Sequence, residues 1–177
     1  ANGDVYVGFF AAGGRHGEGV CTYADTGEYT GDWIDDLRHG QGDMLYADGA
    51  TYSGAWHGGR RNGAGAQKFA NRDRYWGKYV ADRRCGRGRQ VYASGAAYDG
   101  EWLDDMRDGR GTHEDEDGVY AGDWSRDREH GSGVWDGCNR PDAEVRYAGG
   151  WSRGMRHGAA DADYADGARF VGDVRDD

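Results

Sequence analysis

A short motif recurs along the chain with a period close to 23 residues: tyrosine, any residue, glycine, any residue and an aromatic residue. Its copies begin at Tyr6, Tyr29, Tyr52, Tyr75, Tyr98, Tyr120 and Tyr147, and a truncated copy begins at Phe170. Self-similarity at a fixed period is typical of repeat architectures, in which each repeat buries its apolar side against its neighbours. The sequence therefore predicts a single repeat array over residues 1–177, with an insertion at 135–146.

Each repeat has a second half that also carries glycine at fixed places. Ten residues after the leading tyrosine stands a histidine, another polar residue or a cysteine, followed by glycine and, two residues later, by a second glycine. Repeat seven departs from this pattern with Ala160 at the second glycine place. Alternation with a period of two predicts two strands per repeat, joined in repeat two by a turn at 34–38. The predicted fold is all-β: about seven and a half hairpins stacked into one elongated, twisted antiparallel sheet.

The core of such a sheet must consist of aromatic rings, because aliphatic side chains are scarce. Leucine, isoleucine, valine and phenylalanine make up 18 of 177 residues, whereas 13% of the residues are aromatic and 34 are glycine. Disordered chains are poor in aromatic residues, so the composition favours a folded chain. We expect a ring from the neighbouring hairpin to lie on each bare glycine backbone. The resulting aromatic groove, a candidate partner-binding site, would be lined by Tyr29, Trp33, Tyr52, Trp56, Tyr75, Tyr79, Tyr98, Trp102, Tyr120, Trp124, Tyr147 and Trp151.

These residues resemble the MORN (membrane occupation and recognition nexus) repeat family, whose unit reads roughly YxGxWxxGxxHGxGxxxxxdGxxY. The resemblance extends from about Asp4 to Val174, and Phe10 and Tyr79 stand where the family has tryptophan. It implies a sheet of stacked hairpins and an adaptor role. Proteins with such arrays include cytoskeletal and ciliary scaffolds, myosin-tail adaptors, membrane-junction proteins and lipid kinases.

No arrangement typical of an enzyme or a metal site stands out in the sequence. None of the serines lies in a GxSxG motif, and the glycine clusters lack the GxxxxGK[ST] pattern of a phosphate loop. Histidines at equivalent places, such as His16 and His39, would lie about 9–10 Å apart, which strains a shared zinc site. A turn-stabilising hydrogen bond is the simpler role for this place. We predict no catalytic residue, no metal and no cofactor.

An arginine recurs just before the histidine place, and two interpretations of it stay open. In the stacked sheet these residues would form a ladder at roughly 10 Å intervals. The ladder would bind anions, such as acidic protein or phospholipid headgroups. Alternatively, each guanidinium stacks on a nearby tryptophan or pairs with an aspartate of a turn. No face on which arginine outnumbers aspartate is evident from the sequence. The ladder consists of Arg15, Arg38, Arg61, Arg84, Arg107 and Arg156.

Two segments depart from the repeat. An acidic cluster at 113–117 stands where repeat five should have an aromatic residue, and the insertion contains Pro141. Irregular loops on a regular scaffold often carry recognition, but tolerated drift explains these two equally well. The cysteines, Cys21, Cys85 and Cys138, are odd in number and form no CxxC pair, which suits a reducing compartment.

The predicted function is that of a non-enzymatic scaffold, which binds a protein partner through its aromatic groove or its sheet edges in a ciliary or cytoskeletal assembly. The expected partner is a cytoskeletal, axonemal or motor component, and two copies would also join through terminal sheet edges. The alternatives are a peripheral membrane module for acidic phospholipids and the regulatory array of a larger enzyme. The net charge of −10 disfavours nucleic acid and anionic lipid. With no signal peptide and no membrane span visible, a cytoplasmic location is expected.

Overall fold

The computed structural model describes residues 3–137 and 144–175, most of which lie in strands joined by short turns. The chain divides into two compact units, residues 1–93 and 94–177. The boundary falls in the segment between repeats four and five. Cys138 and Pro141 of the insertion lie outside the described residues.

The first unit is an antiparallel sheet in which each strand pairs with the next strand along the chain. Every repeat supplies one hairpin, so strand order follows chain order. The strands are β1 (Val5–Ala11), β2 (Gly14–Tyr23), β3 (Gly27–Ile34), β4 (Leu37–Tyr46), β5 (Thr51–His57), β6 (Arg60–Lys68), β7 (Arg74–Val80) and β8 (Arg83–Val91).

The second unit is built in the same way. Its strands are β9 (Ala97–Leu103), β10 (Met106–Glu114), β11 (Gly118–Ser125), β12 (Arg128–Gly137), β13 (Glu144–Ser152), β14 (Met155–Tyr164) and β15 (Arg169–Arg175). The predicted all-β array of antiparallel hairpins is confirmed. In the part of the chain that the structure describes, no helix is long and apolar enough to cross a membrane.

The hairpins turn within two residues, which is tighter than the turn predicted at 34–38. Asp35 and Asp36 both have positive φ, 47° and 65°, and Ile34 already pairs with Leu37. Positive φ at both central residues defines the type I′ turn, whose twist matches that of the flanking strands. Aspartate tolerates this backbone region better than most residues do.

The glycine backbone accommodates the rings as predicted, but the tyrosine belongs to the same hairpin and not to a neighbour. A Cβ atom added to Gly42 would lie 2.2 Å from Tyr29 Oη, so the ring occupies the space of a side chain. The Tyr29 hydroxyl donates to the Asp32 carbonyl at 3.0 Å. Tryptophan is the residue that reaches the neighbouring hairpin, because Trp33 Nε1 donates to the Gly19 carbonyl at 3.2 Å.

A β-bulge interrupts several of the hairpins, and a carboxylate caps it in three of them. In repeat two the register shifts at Asp32, whose Oδ2 accepts the Gln41 backbone N–H at 2.8 Å. Glu101 and Asp123 cap the equivalent amides in repeats five and six. Repeats three and four carry Ala55 and Lys78 at this place, and neither side chain can accept a hydrogen bond.

Candidate functional site

The strands of each unit present two faces. We call the face that carries the leading tyrosines the ring face, and the opposite one the outer face. On the ring face, Tyr29 contacts Trp33 of its own repeat at 5.2 Å between ring centroids and Trp56 of the next repeat at 5.3 Å. Both contacts are edge to face, an arrangement that contributes roughly 0.5–1.5 kcal/mol beyond the area buried. Tyr52, Tyr98 and Tyr120 repeat this pattern.

Burial of these rings changes the acidity of the tyrosines. Removal from water raises the pKa of Tyr52 to about 12 and raises the pKa of Tyr29 and Tyr120 well above the usual value. The nearby negative charges of Asp32 and Glu129 raise the pKa of Tyr29 and Tyr120 further. The folded protein therefore favours the neutral phenol at each of these places.

Alkaline solution is expected to unfold the protein cooperatively. A raised pKa in the folded state means that the phenols stabilise the fold fully below about pH 10, the unfolded value. This contribution is lost as the pH rises from there towards 12, the pKa of folded Tyr52. Tyrosinate absorbance and tryptophan fluorescence should change in one common step. A Tyr52→Phe variant should lose less stability between pH 9 and 11, and gradual ionisation without unfolding would contradict the expectation.

The arginines of the predicted ladder lie over the rings. Arg15 Cζ is 4.2 Å from the centroid of Trp33, and Arg38 Cζ is 4.2 Å from that of Trp56. Both guanidinium groups thus lie over an aromatic residue of the following repeat, as do those of Arg61 over Tyr79 and Arg107 over Trp124. Arg84 and Arg156 lie over Tyr75 and Tyr147 of their own repeats. A cation over a ring contributes about 0.5–2 kcal/mol, depending on how far it is removed from water.

Several of these arginines form hydrogen bonds and an ion pair with an aspartate in the turn of the next hairpin. The backbone N–H and the Nε of Arg15 both donate to Asp36 Oδ1 at 3.0 Å, and Nη2 donates to the Asp36 carbonyl. These bonds, the backbone one first, lower the pKa of Asp36. The same contacts join Arg61 to Asp82 and Arg107 to Asp127. For these arginines the geometry is that of stacking and pairing, and anion binding by the ladder stays a prediction.

Arg38 differs because Gly59 occupies the place of the turn aspartate. Its Nη2 donates to the Gly59 carbonyl at 2.9 Å, and its Nη1 lies 3.7 Å from Met44 Sδ. In the described part of the chain no carboxylate pairs with this guanidinium. An aspartate 20 or 21 residues after the arginine, visible in the sequence, is the signal whose absence identifies the exception.

The twelve residues predicted to line the aromatic groove are nearly all buried. Tyr29, Tyr75 and Tyr98 expose no surface, and Trp151 alone among the twelve is half-buried. Contact of these rings with a partner stays a prediction. The ring face also has more accessible aromatic residues that were not among the predicted site residues. They are Phe10 of the first hairpin and, in the second half of the repeats, Tyr23, Tyr46, Phe69, Tyr92 and Tyr164.

The residue ten positions after the leading tyrosine, the histidine place, forms a hydrogen bond to a turn in only some of the repeats. Asp108, which stands there in repeat five, accepts the Arg126 backbone N–H at 3.2 Å. His39 instead contacts His57, with 4.6 Å between the ring centroids. Within 3–137 and 144–175, no group of three histidine, cysteine, aspartate or glutamate side chains is arranged to hold a metal ion. In the acidic cluster, Asp115 Oδ1 accepts the backbone N–H of Asp117 and Gly118, which makes this segment a turn.

The outer face of β6–β8 carries a cluster of cations that was not among the predicted site residues. We call it the basic patch, and it consists of Lys68, Arg74, Trp76, Lys78 and Arg89. These three strands contain no aspartate or glutamate. The expectation that arginine outnumbers aspartate on no face is therefore wrong here. The lack of acidic residues in this stretch is visible in the sequence, but the net charge of the whole chain, −10, does not reveal it.

Comparison with protein families identifies the repeat. The MORN repeat model matches residues 6–28, 29–51, 52–74, 75–97, 98–119, 120–140 and 147–169. The matched segments begin at the seven leading tyrosines. No curated protein matches the chain.

One solved structure with a similar fold is the TCP domain of SAS-4 (dCPAP) of Drosophila melanogaster, in complex with a proline rich motif of Ana2 (dSTIL). The TM-score is 0.52 at 12% sequence identity, and the match covers 96% of this chain and 88% of that chain. At this identity the likeness concerns the fold alone.

Proposed function

Because the chain belongs to the MORN repeat family, we propose that it is a non-enzymatic scaffold that binds a protein partner in a ciliary or cytoskeletal assembly. The observation that carries the proposal is that the side chains of the ring face bind one another. The rings contact each other, the arginines lie over the rings, and turn aspartates accept hydrogen bonds from the arginines, so this surface is ordered before a partner binds. A preorganised surface loses little entropy on binding, which favours recognition.

A polypeptide is the class of partner that the comparison supports. The TCP domain of SAS-4, whose fold is similar, is described in complex with a proline rich motif of another protein. Extended segments can add a strand to an exposed sheet edge, and proline-rich segments can dock on surfaces lined by aromatic residues. Association of two copies through the outermost strands is a further part of the proposal.

On the ring face, a partner would meet the half-buried second-half aromatics and the guanidinium edges before it met the buried rings. Tyr46 is representative: burial raises its pKa, and the positive charges of the nearby Arg61 and Arg38 oppose that rise. The twelve buried rings would then support the binding surface from beneath. Aromatic side chains of this kind are typical anchors at protein interfaces.

Cross-linking of the tagged full-length chain in its native cell, followed by mass spectrometry, tests the proposal. We expect a ciliary or cytoskeletal protein, with its recovery reduced about tenfold by Tyr46→Ala. Leu45→Ala is the matched control, because Leu45 is the adjacent residue on the outer face and is 52% exposed. The urea midpoint of each variant checks that it is folded. Recovery unchanged by Tyr46→Ala, or flotation with phosphatidic acid vesicles in the absence of any protein partner, would overturn the proposal.

A further inference from the structure

We propose that the basic patch on the outer face of β6–β8 binds an extended acidic segment of a protein. This inference rests on the proposed function only for the class of partner, since the surface is a different one. The patch places four cations around an exposed tryptophan on a chain whose net charge is −10. Both lysines of the chain, Lys68 and Lys78, belong to it.

The cations of the patch have no internal partner. Among the described residues, Lys68, Arg74, Lys78 and Arg89 form no ion pair and no side-chain hydrogen bond, unlike the arginines of the ring face. The cross-strand register sets Lys68 opposite Arg74 and Trp76 opposite Arg89. Like charges placed directly opposite destabilise a sheet, so the fold itself gains nothing from this arrangement.

Two residues of the patch also break the repeat pattern. Trp76 stands where the other repeats have Val7, Thr30, Ser53, Asp99, Ala121 and Ala148. It is 44% exposed, whereas Trp33, Trp56, Trp102 and Trp124 are 1–3% exposed. Lys78 occupies the place of the carboxylate that caps the bulge amide in repeats two, five and six, and it cannot accept that hydrogen bond. Neither Trp76 nor Lys78 contributes what other repeats gain for folding at these places, which indicates a role in binding.

An acidic peptide fits the patch better than an anionic bilayer does. The patch is three strands wide, which is about 10 Å. The outer face of β2–β4, in the same unit, is acidic. That neighbouring surface carries Glu18, Glu28, Asp32 and Asp43, and no lysine or arginine. A bilayer is a broad plane that would also meet these carboxylates and be repelled. A single extended segment would occupy the basic strip alone.

The spacing within the patch suits an extended chain. Arg74, Trp76 and Lys78 follow one another at every second residue of β7, roughly 7 Å apart. In an extended peptide, two glutamates four residues apart have the spacing of Arg74 and Lys78, and the residue midway between them would face Trp76 and pack on it. Ala64 and Ala66 on the neighbouring strand β6 are small, which leaves room beside the tryptophan.

Fluorescence anisotropy of the full chain with a short labelled peptide that has glutamate at every fourth residue, and proline midway between successive glutamates, tests this inference. We expect Lys78→Asp and Trp76→Thr each to weaken binding about tenfold. Both variants introduce residue types that other repeats carry at these places, so the fold should be preserved. Lys78→Asp should even raise the urea midpoint, because aspartate restores the cap of the bulge. Carbodiimide cross-linking should join peptide carboxylates to Lys68 and Lys78.

Arg128→Asp is the matched control, because Arg128 is exposed in the second unit and changes the net charge by the same amount. It should leave peptide binding unaltered. Equal weakening by all three variants would overturn the inference, and so would tighter binding of phosphatidylserine vesicles or of oligothymidylate to the patch. If the peptide fails to bind but a partner is still recovered through Tyr46, only this inference fails and the proposed function stands.

Discussion

Replacement of Gly100 by alanine is expected to destabilise the second unit by about 3 kcal/mol. A Cβ atom at Gly100 would lie 2.5 Å from Gly111 Cα and 2.5 Å from Tyr98 Oη. The first contact is with backbone across the hairpin, which can retreat only if the strand pairing opens. Every repeat has glycine at this place, as the steric argument requires.

Gly111→Ala is the matched control, since the two glycines face each other in β9 and β10. The three nearest atoms to a Cβ at Gly111 would all belong to the Tyr98 side chain, and none would be backbone. Repeat seven already carries Ala160 there, and Tyr147 still donates to the Gly150 carbonyl at 2.9 Å. We expect a loss of about 1 kcal/mol for Gly111→Ala in urea unfolding followed by tryptophan fluorescence. Equal losses for the two variants would contradict the backbone argument.

Truncation of Arg61 to alanine should cost about 2–3 kcal/mol in the first unit. The side chain is 19% exposed, stacks 4.7 Å from the Tyr79 centroid and donates from Nε to Asp82 Oδ1 at 3.1 Å. Its Nη2 also donates to the Asp82 carbonyl, and its Nη1 to Gln67 Oε1. The half-exposed Asp82 keeps access to water, so the ion pair itself supplies only part of the loss.

A double-mutant cycle separates the ion pair from the stacking. Asp82→Gly gives repeat four the glycine that repeat three has at this place. It also relieves the positive φ of 72°, which is unfavourable for a non-glycine residue. The free energy of unfolding should therefore change by no more than about 1 kcal/mol. In that background Arg61→Ala should cost about 1 kcal/mol less than alone. Arg38→Ala breaks no carboxylate pair, so its loss of stability should equal that of Arg61→Ala in the Asp82→Gly background. A coupling of zero between Arg61 and Asp82 would show that the pair contributes nothing.

Much of the fold could be predicted from the sequence because few other arrangements satisfy it. The Tyr-x-Gly-x-aromatic motif requires an extended strand, and a glycine at a fixed distance from each ring indicates a ring lying on backbone. The tyrosine that lies on Gly42 nevertheless came from its own hairpin. Alternation alone does not determine the direction in which a side chain leans along the strand.

The candidate site was harder to predict because it depends on contacts between consecutive repeats. Arg15 reaches Trp33 and Asp36, which are 18 and 21 residues away, and only the strand register makes them neighbours. An aromatic core was predicted, but the arginine cover that leaves rings such as Tyr29 without exposed surface was not. The basic patch could have been found by summing charges separately for each strand face, because β6–β8 lack acidic residues entirely.

The contact between an arginine and the following turn also determines how the array can change in length. Arg15, Arg38, Arg61 and Arg107 each follow the turn of their own hairpin and bond to the turn of the next hairpin. Loss or duplication of a whole repeat would bring an arginine to another hairpin turn of the same kind. Loss of a single strand would instead bring it to the end of the sheet at which the connections between repeats lie. Growth and shrinkage by two strands at a time is therefore the step that this architecture tolerates.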